Sequence, residues 1–178
     1  MIGIDVVDHS DPLLRPRNER SFRLISHPSD QHDATITTDL ENLFWLYWAA
    51  KEAIYKANRL PIRFAPKQIP VSITQKNGSI SILSNDIQGF IDQNNRSTLC
   101  ICWNKAISST PWYQLFESIE KDQSLEVRKQ LILFLMEKGI EGEMSKDWKG
   151  LPVVNYNGKA HLTTFTHHHK LAAFICEQ

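Results

Sequence analysis

The stretch from Asp39 to Asn58 constrains this chain more than any other. Leu40, Leu43, Phe44, Tyr47, Ala50 and Ile54 recur at helical spacing, which predicts an apolar stripe along one long helix. Pro61 and Pro66 follow and prevent its continuation. The same helix carries Trp45, Trp48, Glu52 and Lys56, separated by three, four and four residues, so these four share a face. Lys51 lies about 100° around the helix from Glu52. A carboxylate and an ammonium four residues apart have a plain structural reading, a surface pair worth a few tenths of a kcal/mol. Two tryptophans beside them weaken that reading and leave a site as the alternative.

The rest of the chain alternates short strands with a few helices. Ile2 to Val7 is β-branched and bounded by Gly and Asp, and predicts a strand. Arg17 to Ile25 predicts a short helix, and Ser26-His27-Pro28-Ser29-Asp30 reads as a second helix start. Val71 to Thr74 and Ser79 to Leu83 flank Asn77-Gly78, a strong hairpin signal. Ser97 to Trp103 predicts another strand. Ser124 to Lys138 predicts a helix capped by Ser124, with Gly139 just past its end. Strands follow around Val153-Val154, His161 to Thr166 and Leu171 to Cys176, with a turn at Asn157-Gly158. This order predicts an α+β fold with largely antiparallel sheets and packed helices. A boundary near Ser108 to Pro111 divides it into residues 1–109 and 110–178, within one compact unit.

Composition removes several function classes. Lys and Arg together number 20, as do Asp and Glu, so no net charge draws the chain to nucleic acid or to an anionic membrane. An anionic ligand must be held by a local cluster. Cys100 and Cys102 alternate on one strand face and, with Cys176, form no paired framework or CxxC zinc motif. No secretory leader is visible, and the longest apolar run, Leu131 to Met136, is too short for a bilayer. A soluble, cytoplasmic protein is expected.

Three clusters could carry chemistry. Asp5 ends an apolar strand; it is either a turn former or a Mg²⁺ ligand. Mg²⁺ takes a few carboxylates, with waters and phosphate oxygens completing its shell, and Asp5 and Glu52 could supply those carboxylates. Lys51 and Lys56 could neutralise the remaining phosphate charge. The third cluster is Thr164-Phe165-Thr166-His167-His168-His169-Lys170. Neighbours on an extended segment point to opposite faces, so the three histidines cannot chelate one ion together. They are either surface residues, or Thr166 and His167 donate to a phosphate.

Three blocks in this order resemble the 4′-phosphopantetheinyl transferase superfamily. Gly3-Ile4-Asp5 is similar to its strand motif. Trp48-Ala49-Ala50-Lys51-Glu52-Ala53-Ile54-Tyr55-Lys56 is similar to its W-x-x-K-E-[AS]-x-x-K helix. Thr164-Phe165-Thr166-His167, preceded by Gly150-Leu151-Pro152, resembles its S-[IL]-S-H strand end and G-K-P element. The resemblance implies that fold and a Mg²⁺-dependent transfer of phosphopantetheine from coenzyme A to a serine of an apo carrier protein. It implies Asp5 and Glu52 as metal ligands, and Lys56 as the group stabilising the attacked phosphate. Lys51 and His167 would bind coenzyme A phosphates, with Thr166 assisting.

The chain also departs from the pattern. Val7 stands where the long type carries a Glu, and Asp8 follows it. Leu151 replaces the usual Lys, with Lys149 nearby. The block order suggests a circularly permuted long type, with two similar halves in one chain. A monomer is therefore expected rather than the short type's homotrimer. Val7 and Leu151 leave an alternative, a catalytically weak homologue that binds coenzyme A or a carrier protein.

Overall fold

The computed structural model of the chain describes residues 1–58, 63–118 and 121–178. Pro61, expected to bar continuation of the long helix, lies outside them. The first half comprises β1 (Ile2–Asp8), α1 (Glu19–Ile25), β2 (Gln31–His32), α2 (Leu40–Asn58), β3 (Ser72–Lys76), β4 (Ser79–Ser84), β5 (Ile87–Gln93) and β6 (Ser97–Asn104). The second comprises β7 (Trp112–Glu117), α3 (Gln123–Glu137), β8 (Glu143–Lys146), β9 (Pro152–Tyr156), β10 (Lys159–His168) and β11 (Leu171–Cys176). A 3-10 turn at Pro66–Gln68 follows α2.

The strands form two sheets, in the orders β1-β6-β5-β4-β3-β2 and β7-β11-β10-β9-β8. The short β2–β3 pair is parallel. The long pairs, such as β1–β6 and β10–β11, are antiparallel. This is the α+β architecture that the order of elements implied.

Side-chain alternation stacks the layers. Gly3, Asp5 and Val7 of β1 turn toward α2, whereas Ile2, Ile4 and Val6 turn away. On the α2 side, Val7, Cys100 and Cys102 pack with Leu46, Ala49, Ala50 and Ala53. On the other side, Ile2, Ile4, Val6, Leu99 and Ile101 meet Leu171, Ala173 and Ile175 of β11. The far face of β11 presents Ala172, Phe174 and Cys176 to Val127, Leu131 and Leu135 of α3. The result is helix, sheet, sheet, helix, with β1 and β11 buried along their whole lengths. Each of those large apolar side chains contributes roughly 1.5–3 kcal/mol on burial.

One close approach sets the site. A Cβ on Gly3 would lie 2.0 Å from the Ala53 carbonyl oxygen, so α2 reaches β1 only because residue 3 has no side chain. That contact delivers the next turn of α2 to Asp5, two residues further along the same face of β1. Elsewhere, both expected Asn-Gly turns form. Asn77 and Gly78 have φ of 52° and 79°, and Asn157 and Gly158 have φ of 50° and 71°, as type I′ hairpins require.

Three expectations change. The helix expected from Ser124 starts at Gln123, with Asp122 as its cap; the Asp122 carboxylate accepts from Leu125 N–H at 3.0 Å. Asp and Ser both cap helices, and the earlier one wins here. Ser26 to Asp30 starts no helix. It forms a turn in which Asp30 accepts from His27 N–H at 2.8 Å, while its other oxygen accepts from Val71 N–H at 2.9 Å. β2, β5, β7 and β8 are additional strands.

Candidate functional site

The cleft lies where the C-terminal half of α2 passes over β1 and meets the end of β10. Its volume is about 340 Å³, and Asp5, Val7, Trp45, Trp48, Glu52 and Lys56 line it with residues 165–168. The face predicted on α2 from spacing alone therefore faces the cleft. Trp48 stacks on Phe44, with ring centroids 5.9 Å apart, and Phe64 meets its edge at 5.4 Å. Trp48 walls the pocket beside the charged groups, with Phe44 and Phe64 packed against it.

Lys56 is the hub. Its Nζ lies 2.8 Å from Asp5 Oδ1, 3.3 Å from Glu52 Oε1 and 3.3 Å from Thr166 Oγ1. Thr166 donates its hydroxyl to Asp5 Oδ1 at 3.0 Å. Asp5, Lys56 and Thr166 thus form a closed triangle, with Glu52 attached through the ammonium. Glu52 is the more open carboxylate, its side chain 29% exposed against 6% for Asp5.

Burial dominates the electrostatics. It pushes the Asp5 carboxyl up to about 6, assisted by the Glu52 charge and opposed by Lys56. The Lys56 ammonium is held above its ordinary value; burial disfavours its charge, but Asp5 and Glu52 together outweigh that. The site is an anionic pair around one cation, with a carboxylate made unusually basic for an aspartate.

The structure does not bring Lys51 to this cleft. Its side chain is fully buried on another face of α2, where Nζ meets Asp30 Oδ2 at 2.7 Å, the Ile69 carbonyl at 2.7 Å and the Pro66 carbonyl at 3.1 Å. Three acceptors use all three N–H donors. Burial lowers its pKa, and Asp30 opposes that shift. Lys51 tethers Asp30, Pro66 and Ile69 to α2 and does not line the cleft.

Asp8 is also placed elsewhere. Its Oδ1 accepts from the Ser10 backbone N–H and hydroxyl at 2.9 and 2.6 Å, and its Oδ2 accepts from Lys170 N–H at 3.1 Å. It does not stand in for the acid absent at Val7, whose side chain is apolar core. The three histidines separate as strand geometry requires. His167 is exposed at the cleft, His168 turns to β1, and His169 sits in the β10–β11 turn with φ of 53°. Lys149 is exposed, with its ammonium 4.8 Å from the Trp148 ring. Among the lining residues, Phe165 and His168 stood in the third sequence cluster without a role assigned to either. Arg128 of α3 lies over the Phe165 ring at 5.5 Å, which puts a guanidinium behind the cleft wall.

Among the described residues, no group of three His, Cys, Asp or Glu side chains could hold a metal by itself. Two hard carboxylates at one cleft nevertheless suit Mg²⁺, which takes one or two from protein and the rest from water and phosphate. Among the described residues, no helix is long and apolar enough to cross a membrane.

No curated protein and no solved structure matches the chain. The family model ACPS, 4′-phosphopantetheinyl transferase superfamily, matches residues 1–114, well over half of the 178. That span contains β1 and α2, the elements that deliver Asp5, Glu52 and Lys56 to the cleft. By this match the chain belongs to the 4′-phosphopantetheinyl transferase superfamily.

Proposed function

We propose that the chain transfers the 4′-phosphopantetheine group of coenzyme A to a serine of an apo carrier protein, with Mg²⁺ held by Asp5 and Glu52. The observation that carries this is the convergence of Asp5, Glu52, Lys56 and Thr166 on one cleft from distant parts of the chain. When bound, Mg²⁺ supplies a Lewis acid for the pyrophosphate oxygens.

The chain's own residues do the rest. Lys56 places an ammonium where negative charge grows on the attacked phosphate, and does so without reorganising, because Asp5 and Glu52 already fix it. His167, exposed at the mouth, donates to a coenzyme A phosphate. Thr166 orients Asp5. Trp45, Trp48 and Phe165 exclude water on one side, which strengthens each charge interaction inside. Glu52, with its open carboxylate, is the residue placed to receive the serine proton. Two fused halves in one chain make a monomeric, cytoplasmic enzyme, a circularly permuted long type.

A second reading is coenzyme A or carrier binding without turnover; Val7 favours it, since among the described residues no third acid lines the cleft. Incubating the protein with coenzyme A, Mg²⁺ and an apo carrier, then measuring intact carrier mass, decides between them. The gain of one phosphopantetheine supports transfer. Coenzyme A binding without any gain, across fatty-acid, polyketide and peptide-synthetase carriers, supports the second reading.

A further inference from the structure

β10 touches β1 through alternate side chains, although the two strands belong to different sheets. Thr164 Oγ1 donates to the Ile2 carbonyl at 3.2 Å, Thr166 Oγ1 donates to Asp5 Oδ1 at 3.0 Å, and His168 Nδ1 accepts the Asp8 N–H at 3.0 Å. The β10 residues are two apart and face one way. Their β1 partners are three apart, so the strands cross, and each bond pins one point of the crossing.

The third bond differs in kind. A hydroxyl can donate or accept, but an imidazole nitrogen accepts only when it carries no proton. Acceptance at Nδ1 leaves the ring hydrogen on Nε2, the nitrogen that lies 3.6 Å from Asp11 Oδ2. His169 Nδ1 is 3.9 Å from the other Asp11 oxygen, and His9 is engaged with Thr98 Oγ1 at 2.8 Å. Beyond Thr166, the tip of β10 is fastened to β1 by this imidazole and by the Lys170 N–H to Asp8 bond. His167, the exposed residue at the cleft mouth, sits between Thr166 and His168.

We propose that His168 is a positioning residue of the transfer cleft: as the Nε2–H tautomer it clamps the tip of β10 to Asp8 and so holds Thr166 and His167 in register with Asp5. This rests on the functional reading above. His168 contacts no substrate in this role; it acts through the two residues before it.

The test uses three variants of the full chain. Asparagine carries an acceptor where Nδ1 sits, glutamine carries one where Nε2 sits, and alanine carries none. His168→Asn should keep kcat for carrier modification within about threefold of the wild type. His168→Gln and His168→Ala should lower kcat about tenfold, since small misplacements cost that much, with KM for coenzyme A changed less than about threefold. Nitrogen NMR of the wild-type ring should show the Nε2–H tautomer near neutral pH. Amide exchange at Asp8 should speed up about tenfold in the glutamine and alanine variants only. Equal losses in the asparagine and glutamine variants overturn the proposal, as does wild-type kcat in the alanine variant or an Nδ1–H tautomer in the wild type. A wild-type chain that modifies no carrier overturns the functional reading, and with it the positioning role. The tautomer and exchange readouts still decide whether the clamp itself exists.

Discussion

The Thr166 hydroxyl donates to Asp5 Oδ1 across 3.0 Å, although 161 positions separate the two residues in the chain. One bond thus joins the two sheets at the cleft. It also places a neutral donor on a carboxylate that burial makes hard to ionise. Thr166 therefore stabilises charged Asp5 through Oδ1, the same oxygen that Lys56 engages.

Glu52→Gln should lower carrier modification by at least about a hundredfold, because an amide cannot serve as a charged ligand or receive the serine proton. The side chain is open enough that the fold should change by less than about 1 kcal/mol. Intact-mass kinetics and a denaturant melt check both halves of this expectation. Near-normal turnover would remove Glu52 from the metal site.

Lys51→Met should behave in the opposite way. It strands the buried Asp30 carboxylate and two carbonyls, a loss of about 3 kcal/mol by analogy with broken buried ion pairs. Coenzyme A affinity of the folded fraction should stay within about twofold. Urea unfolding and calorimetry would read these separately, and a selective loss of affinity would return Lys51 to the site.

Gly3→Ala tests the approach of α2 to β1. The added methyl would lie 2.0 Å from the Ala53 carbonyl, so the helix must move or the protein must unfold. A cost of roughly 2–3 kcal/mol is expected, in line with overpacked cores. The folded remainder should lose turnover, because Glu52 and Lys56 ride on the displaced helix. Wild-type stability would show that the contact is softer than its geometry implies.

Asp8 makes stability depend on acid. Burial alone would raise its pKa, but the bonds from Ser10 and Lys170 outweigh burial and lower it below the ordinary 3.8. A carboxyl depressed in the folded state contributes stability that is fully present above 3.8 and lost as pH falls through its folded value. Asp8→Asn should thus be less stable than the wild type at pH 7, by about 1–2 kcal/mol for a charged hydrogen-bond acceptor. The gap should narrow as pH drops below 3.8. Denaturation curves at both pH values check it, and a gap that stays constant would contradict the assignment.

Much of the site was legible because its signals are local. The spacing of Trp45, Trp48, Glu52 and Lys56 along α2 depends only on helix geometry, and the cleft uses that face. The two Asn-Gly turns were legible for the same reason. Lys51 was not, since its direction could be read but its partner Asp30 lies across a turn that resembled a helix start. β5 was missed because Gly89 interrupts its alternation; a Cβ there would sit 2.0 Å from the Ile101 carbonyl, so the glycine reflects packing rather than a break. His168 was invisible as a contact because its partner is a backbone N–H 160 positions away, and no residue pattern encodes such a pairing.

The two flanks of the cleft are made at different times. Asp5, Glu52 and Lys56 leave the ribosome well before Thr166 and His167, since synthesis runs from the N-terminus. A nascent chain stopped after residue 114 would carry both carboxylates and the lysine, yet lack the strand that closes them in. Such a fragment holds the most recognisable part of the family pattern without the completed cleft. Folding of the early half leaves the cleft open until β10 supplies residues 165–168 to its wall.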